Sequence, residues 1–447
     1  MAYIFWKGIR SSFKFQLVVD LIFFFIFVKL LLYYLMPTVL RIISDYQFLK
    51  IDRVDPIELV YVYGIEFISW MFWLLTLYLI FKLIGRDRQN SMKISNYMNH
   101  NRRMSITLLY IITFGFIAIN ISRMFNYSSF YLDIFQTLFY SAGLASGPFL
   151  LVTALKFYNK KLFFLGVVST IFSIAYIGTR GALVYALIFI CYLVFFVVKS
   201  NRQKILAITF IAMFSGFYFI FSGLPNPTLS LDENGEVSIE STISTKKLSG
   251  RSPYEEIEWR FGAQTRLGVS FIRLYNRGEG AGINPIKHSF LGFLPRSINP
   301  DKPIPSTLIA DDIYSQGMYM AYRDIHGYDT FSMVEFPTGG HFYWEFGLFG
   351  VIFLSVISAV YIGVTSPLLS RLGPVSIPLV VAIFKPWGFM DPKIWISEAI
   401  LQIYQIILPL LLLILILKLI FFLKVVAWNF LLVSSKGRVN YKKRGLE

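Results

Sequence analysis

A chain of 447 residues could fill two or three soluble domains, but its composition excludes an ordinary soluble protein, since 56% of its residues are hydrophobic and only 15% are charged. The formal net charge of +16 does not indicate nucleic acid binding, because the basic residues gather at the ends of apolar segments. The single cysteine, Cys191, excludes a disulfide, iron–sulfur or zinc framework.

Apolar runs of about 20 residues recur along the chain, which is the length a helix needs to cross a bilayer. The first run exceeds the apolar core of a signal peptide and lacks a small-residue cleavage site, so no cleaved leader is expected. The sequence therefore predicts an all-α polytopic membrane protein. Ten transmembrane helices are predicted, near 15–36, 57–84, 104–121, 130–155, 162–178, 181–198, 205–224, 343–363, 374–390 and 398–423.

Lysine and arginine collect on alternate sides of these helices, and short basic loops stay in the cytoplasm. Both termini are predicted to be cytoplasmic, and one large loop is predicted to be periplasmic. The predicted divisions are helices one to seven in 1–224, the periplasmic loop in 225–342, helices eight to ten in 343–433, and a basic cytoplasmic tail in 434–447.

The predicted external side carries a tight turn, Gly178 to Gly181, with Arg180 at its tip, and then the large loop. The first part of the loop, Pro225 to Gly250, is polar with little periodicity and predicts a flexible lead-in. A capping sequence at Ser252 then predicts a helix that ends near Arg277, where glycines follow.

Three arginines of this helix, Arg266, Arg273 and Arg277, fall on one stripe at about 100° per residue. Two interpretations of this stripe are equally good. It is either a solvated face of the helix or an external platform that binds phosphate or anionic headgroups. Charges in or near the early helices, Glu58 and Glu66 among them, are expected to pair with other helices.

Three short motifs follow one another on the predicted external side. They are Gly-Thr-Arg-Gly-Ala at 178–182, Leu-Pro-Arg with Asp-Lys-Pro in 294–303, and Pro-Thr-Gly-Gly at 337–340 leading into Glu-Phe-Gly-Leu-Phe-Gly at 345–350. Because these motifs occur in this order, the chain resembles the Wzy-type O-antigen polymerases over roughly residues 160 to 365.

The resemblance implies an enzyme of the bacterial inner membrane that joins undecaprenyl-pyrophosphate-linked oligosaccharide repeat units on the periplasmic face. It implies no metal and no cofactor, since the lipid-linked donor is already activated, and it suggests a chain-length regulator as a partner in the same bilayer. An O-antigen ligase and a lipid-linked oligosaccharide flippase are the alternatives. A flippase commonly carries internal repeats, and none is visible in the sequence.

The expected reaction needs cations for the departing pyrophosphate and a base for the acceptor hydroxyl. Arg180 is the first candidate for pyrophosphate binding, although it could instead reach the lipid headgroups. Arg266, Arg273 and Arg296 are further candidates. His341 is the candidate base, and Glu345, one helical turn later, could orient its imidazole. The alternative for His341 is an interfacial residue hydrogen-bonded to the backbone, and the alternative for Glu345 is a structural partner of an arginine.

Overall fold

The computed structural model describes part of the chain. The described residues are 16–43, 54–84, 102–124, 135, 138–143, 146–147, 149–151, 160–177, 205, 209, 228–231, 237–240, 253–284, 286, 330–331, 338–370, 372, 375–384, 393, 399–400, 402–424 and 426. Several predicted helices lie partly or wholly outside these residues, including the one predicted at 181–198.

Most described residues are helical, which agrees with the predicted class. The helices are α1 (Gln16–Leu30), α2 (Met36–Ile43), α3 (Pro56–Ile84), α4 (Arg102–Met124), α5 (Lys160–Ile177), α6 (Pro253–Asn276), α7 (Thr338–Ser370), α8 (Ser376–Phe384) and α9 (Ile403–Lys424). A π-helical turn, Leu31–Leu35, joins α1 to α2, and a second, Ile403–Ile407, opens α9.

Three of the described helices are long and apolar enough to cross a membrane, namely Pro56–Leu83, Gly339–Leu369 and Ile403–Lys424. A shorter apolar helix covers Ser105–Ile121. Many side chains of α9 are exposed, including Leu411, Leu415, Leu419 and Phe422. Exposed leucine and phenylalanine along a whole helix are expected where lipid is the solvent, so these helices support a membrane protein.

The first predicted helix is longer than expected. It was predicted to stop at the Met36–Pro37 step, but helical structure continues to Ile43. Proline ends a helix because it lacks an N–H and crowds the preceding turn. Here the π-helical turn widens the backbone just before it, with the Met36 N–H donating to the Leu31 carbonyl, and the chain passes Pro37 without stopping.

The predicted lead-in between Pro225 and Gly250 contains strands, which was not expected from its polar sequence. The strands β1 (Thr228–Leu231) and β2 (Val237–Glu240) pair antiparallel, with Thr228 opposite Glu240, and β3 (Thr330–Phe331) pairs with the other edge of β1. Asn234-Gly235 lies between the first two strands in the sequence, and this dipeptide is a common hairpin signal.

The core has two parts. The larger joins α1, the second half of α3, α4, α5, α8, α9 and the second half of α7 through residues such as Trp73, Phe81 and Ile362. The smaller lies at the other end of α3, where Val62 and Ile65 pack with Phe271 of α6 and Trp344 of α7. The long helix pair α3 and α7 runs through both parts, and α6 covers the end at which both helices begin.

Candidate functional site

The helix α7 begins with a short separate segment that holds the predicted base. It starts at Thr338, whereas the sequence predicted a helix from 343 and a loop that ended at 342. The backbone leaves helical geometry at Phe346 (φ −141°, ψ 25°) and Gly347 (φ 62°, ψ −151°). Residues 338–345 therefore form a half-helix, and 348–370 form a second helix that is itself about 34 Å long, enough to span a bilayer.

His341 and Glu345 lie on one face of the half-helix, as their spacing predicted. Nδ1 of His341 is 3.3 Å from Oε1 of Glu345. Both side chains are buried, with His341 0% and Glu345 3% exposed, so neither is displayed at a surface. The carboxylate thus lies beside the ring nitrogen, where it can orient the imidazole electrostatically.

Aromatic rings surround the imidazole. The Phe271 ring of α6 lies 6.0 Å from the His341 ring at 80°, and the Trp344 ring lies 5.5 Å away at 67°. Edge-to-face contacts of this kind favour one ring orientation. Phe271 and His341 are 70 positions apart in the sequence. Their contact therefore connects a distant part of the predicted periplasmic loop to the start of α7.

The arginine stripe of α6 is not a free external surface. Arg266 is 1% exposed, because α6 packs on α2, α3 and α7 over that part of its length. Arg273 donates from Nε and Nη2 to the two carboxylate oxygens of Glu58, at 2.8 and 2.6 Å. Only Arg277, at the end of the stripe, is exposed. The solvated face and the external platform both required an exposed stripe, whereas the structure has one buried arginine, one paired arginine and one exposed arginine.

The predicted structural pairing of charges is confirmed for Glu58, whose partner Arg273 lies in α6, and for Glu66, whose partner lies in the segment before α9. Nζ of Lys393 lies 2.7 Å from Oε2 of Glu66, with both side chains buried. The same ammonium donates to Ser69 Oγ at 3.2 Å and lies 4.3 Å from the centre of the Trp70 ring. Such contacts are what allow an ion pair to be buried.

Two cations at this end of the molecule were missed from the sequence. Arg41 of α2 donates to the Tyr63 hydroxyl, the Gly262 carbonyl and Thr265 Oγ1, each at 3.0 Å, and so ties α2 and α3 to α6. Lys393 is the other. Arg41 follows the first long apolar run in the sequence, and Lys393 lies between the last two. A lone cation in such a position is a signal for burial at a helix junction.

The remaining candidates, Arg180 and Arg296, lie outside the described residues and stay predictions. Within the described residues, no three histidine, cysteine, aspartate or glutamate side chains converge as metal ligands would. The described site thus consists of buried cations from α2, α6 and the segment before α9, together with the His341–Glu345 pair of α7.

Arg41 and Lys393 are engaged in contacts that hold the helices together, so Arg266 is the buried cation of this group that is a candidate for stabilising an anion. Electrostatic stabilisation is stronger in a buried region with little water than at a surface. No protein-family model matches this chain, and no curated protein or solved structure is significantly similar to it. The family resemblance therefore still depends on the three sequence motifs.

Proposed function

We propose that this protein is a membrane glycosyltransferase of the bacterial inner membrane that polymerises undecaprenyl-pyrophosphate-linked oligosaccharide repeat units on the periplasmic face. The growing glycan is transferred from its lipid carrier onto the next lipid-linked unit, as in the biosynthesis of O antigen and related surface polysaccharides. A chain-length regulator in the same membrane is the expected protein partner.

One observation carries the proposal beyond the motifs, namely the contact of Phe271 with His341 and Trp344. It joins the helix that holds two candidate phosphate ligands, Arg266 and Arg273, to the motif that holds the candidate base. Cations for a leaving pyrophosphate and a base for a hydroxyl are the groups that this reaction needs close together.

In the proposed reaction, the acceptor sugar oxygen forms a bond with the anomeric carbon of the growing chain. The bond from that carbon to the pyrophosphate oxygen breaks, and undecaprenyl pyrophosphate leaves with the bonding electrons. His341 receives the hydroxyl proton, and Glu345 stabilises the resulting imidazolium. Arg180, Arg266, Arg273 and Arg296 are the proposed ligands of the pyrophosphate, for which a guanidinium is suited by its permanent charge and planar donors.

The burial of His341 sets a condition for this role, because a base must come within about 3 Å of the proton that it accepts. Proton transfer to His341 therefore requires a local opening around the ring. A packing role is the alternative, since Phe271 and Trp344 would also hold an apolar ring in that place.

The two roles are separated by His341→Phe and His341→Gln. Phenylalanine preserves an aromatic ring among Phe271 and Trp344 but cannot accept a proton, and glutamine preserves polar contacts only. We expect both variants to insert and fold while the polymerisation rate falls roughly 100-fold or more. Wild-type polymer from His341→Phe would assign the residue to packing and remove it from the reaction.

The function itself is tested with the purified protein in proteoliposomes that contain only undecaprenyl-pyrophosphate-linked repeat units. A polymerase releases undecaprenyl pyrophosphate and produces a ladder of lipid-linked oligomers. A ligase leaves the repeat units unchanged until a lipid A core acceptor is added, and a flippase changes their leaflet without forming a bond. Deletion of the gene should likewise reduce the surface ladder to core with a single repeat, and a plasmid copy should restore it.

A further inference from the structure

Both ends of the half-helix 338–345 are held by contacts from other parts of the chain. At its C-terminal end, the N–H groups of Ala281 and Gly282 donate to the carbonyls of Trp344 and Glu345, each at 3.1 Å. In a continuous helix these carbonyls would accept from residues four positions later. The break at Gly347 removes those donors, and the turn after α6 replaces them.

At the N-terminal end, a carboxylate from a different helix takes the position of a helix cap. Oε1 of Glu66 accepts the Gly340 N–H at 3.1 Å. Negative charge at a helix N-terminus is favourable because the first N–H groups have no partners within the helix. His341 is the next residue, so this cap fixes the turn from which the imidazole projects.

Glycine allows this close approach. A Cβ built on Gly339 would lie 2.7 Å from Glu66 Oε1 and 2.8 Å from its carboxyl carbon. A side chain at position 339 would therefore displace the carboxylate from the end of the helix. Glycine at position 339 thus has a structural reason that is independent of the family resemblance.

Lys393 holds the carboxylate from its other side. Oε2 of Glu66, the oxygen that does not receive the Gly340 N–H, lies 2.7 Å from the ammonium. The two oxygens of one buried carboxylate thus connect the half-helix to the segment that precedes α9. Without the ammonium, the carboxylate would be a buried charge with a large desolvation cost, and it would protonate or move.

We propose that Glu66 and Lys393 are positioning residues, which hold the half-helix so that His341 and Glu345 keep one fixed orientation. The ion pair acts through the Gly340 N–H and does not touch the substrate. This inference rests on the proposed function only for its effect on the reaction rate, because the orientation of the imidazole can be measured without any substrate.

The test uses protein labelled with ¹⁵N-histidine in lipid nanodiscs, where the chain has only four histidines. The His341→Phe variant assigns the His341 imidazole signals. Lys393→Met should shift these signals by more than their line width, because Glu66 without the ammonium either protonates or leaves the Gly340 N–H, and either change alters the helix cap beside His341. Lys82→Met, which removes an exposed cation from the far end of α3, should leave them in place.

The double variant Glu66→Gln/Lys393→Met is the decisive comparison. It removes both charges and retains an amide oxygen that can accept the Gly340 N–H, so the His341 signals should return towards those of the wild type. Wild-type signals in Lys393→Met would overturn the proposal, as would a double variant more perturbed than the single one. If Lys393→Met does not fold, Gly339→Ala displaces the carboxylate without removing a charge, and unshifted His341 signals there would overturn the proposal equally.

In the polymerisation assay, Lys393→Met should lower kcat about 10- to 100-fold, with KM within about twofold of the wild type, because a reacting group is misplaced while substrate contacts remain. The double variant should recover most of kcat. If the imidazole signals respond as expected but no repeat units are joined, the positioning role stands and the proposed function fails. If polymerisation occurs and the imidazole signals do not respond, the proposed function stands and the positioning role fails.

Discussion

At the residue scale, the notable feature is the number of cations buried where α2, α6 and α7 meet. A buried cation is costly unless donors and charges around it are satisfied. Arg41 meets this condition through a carbonyl and two hydroxyl groups, Lys393 through a carboxylate and a hydroxyl group, and Arg273, less buried, through a two-oxygen contact with Glu58. Each contact joins parts of the chain that are distant in sequence, so each residue has a structural role that can be tested.

Arg41 is expected to dock α6 onto the helix bundle. Arg41→Met preserves the length and the apolar part of the side chain but removes all three hydrogen bonds, which should weaken the docking of α6 by about 1–3 kcal/mol. Hydrogen–deuterium exchange in nanodiscs should then be faster for the amides of residues 262–276 and unchanged for α4. Lys160→Met, which removes an exposed cation, is the control, and equal exchange in both variants would contradict the assignment.

Arg273 has either a structural or a substrate role, and exchanging the charges separates them. Its pair with Glu58 is partly solvated, with side-chain exposures of 23% and 34%, so Arg273→Ala should cost only about 1 kcal/mol of stability. Glu58→Arg/Arg273→Glu should restore that stability. If Arg273 also binds pyrophosphate, the exchanged variant should stay inactive in the polymerisation assay, whereas full activity would limit the residue to the ion pair.

At the element scale, the sequence was informative where local rules decide the structure. Apolar length placed α3 within one residue at its start, the proline and acidic residues placed the start of α6, and the i, i+4 spacing put His341 and Glu345 together. The ion pair of Glu66 and Lys393, separated by 327 positions, depends on long-range packing that no local pattern encodes.

The break in α7 is another feature that local rules did not give. From the sequence alone, Gly347 and its apolar neighbours are compatible with a continuous helix. Its positive φ becomes necessary only because the turn after α6 donates to Trp344 and Glu345, and because Tyr275 lies against it. The burial of Arg266 has a similar cause, since the neighbours that cover the stripe come from other helices.

This break predicts opposite effects of alanine at two glycines. The backbone of Gly347 has a φ of 62°, and a Cβ built there would lie 2.7 Å from the Tyr275 hydroxyl. Gly347→Ala should therefore lower the free energy of unfolding by about 1–3 kcal/mol. Gly64, inside α3, has no atom within 4 Å of such a Cβ, and Gly64→Ala should gain roughly 0.5–1 kcal/mol. Thermal unfolding in detergent, followed by tryptophan fluorescence, should give a lower Tm for the first variant only; equal Tm values would contradict a fixed break.

At the scale of the whole molecule, α6 covers the end of the bundle at which α3 and α7 begin. The carbonyl of Glu279, in the turn after α6, accepts the indole N–H of Trp344 at 2.8 Å, so this turn and the start of α7 lie on the same side of any membrane. The sequence predicts three crossings between residue 160 and this turn, and three more between the turn and the end of α9. Both stretches contain an odd number, so both ends should lie opposite the turn.

This topology is testable with single cysteines, because Cys191 is the only native one. In a Cys191→Ser background, Glu279→Cys, Lys160→Cys and Val426→Cys each replace an exposed residue. A maleimide that cannot cross membranes should label Glu279→Cys in intact spheroplasts, and should label the other two only after permeabilisation. This expectation follows from the positive-inside rule, by which the sequence predicts that Lys160 and the end of α9 are cytoplasmic. The reverse pattern would put the candidate site on the cytoplasmic face and would contradict a periplasmic polymerase. Labelling of Glu279→Cys and Lys160→Cys from the same side would show an even number of crossings between them and would contradict the predicted three.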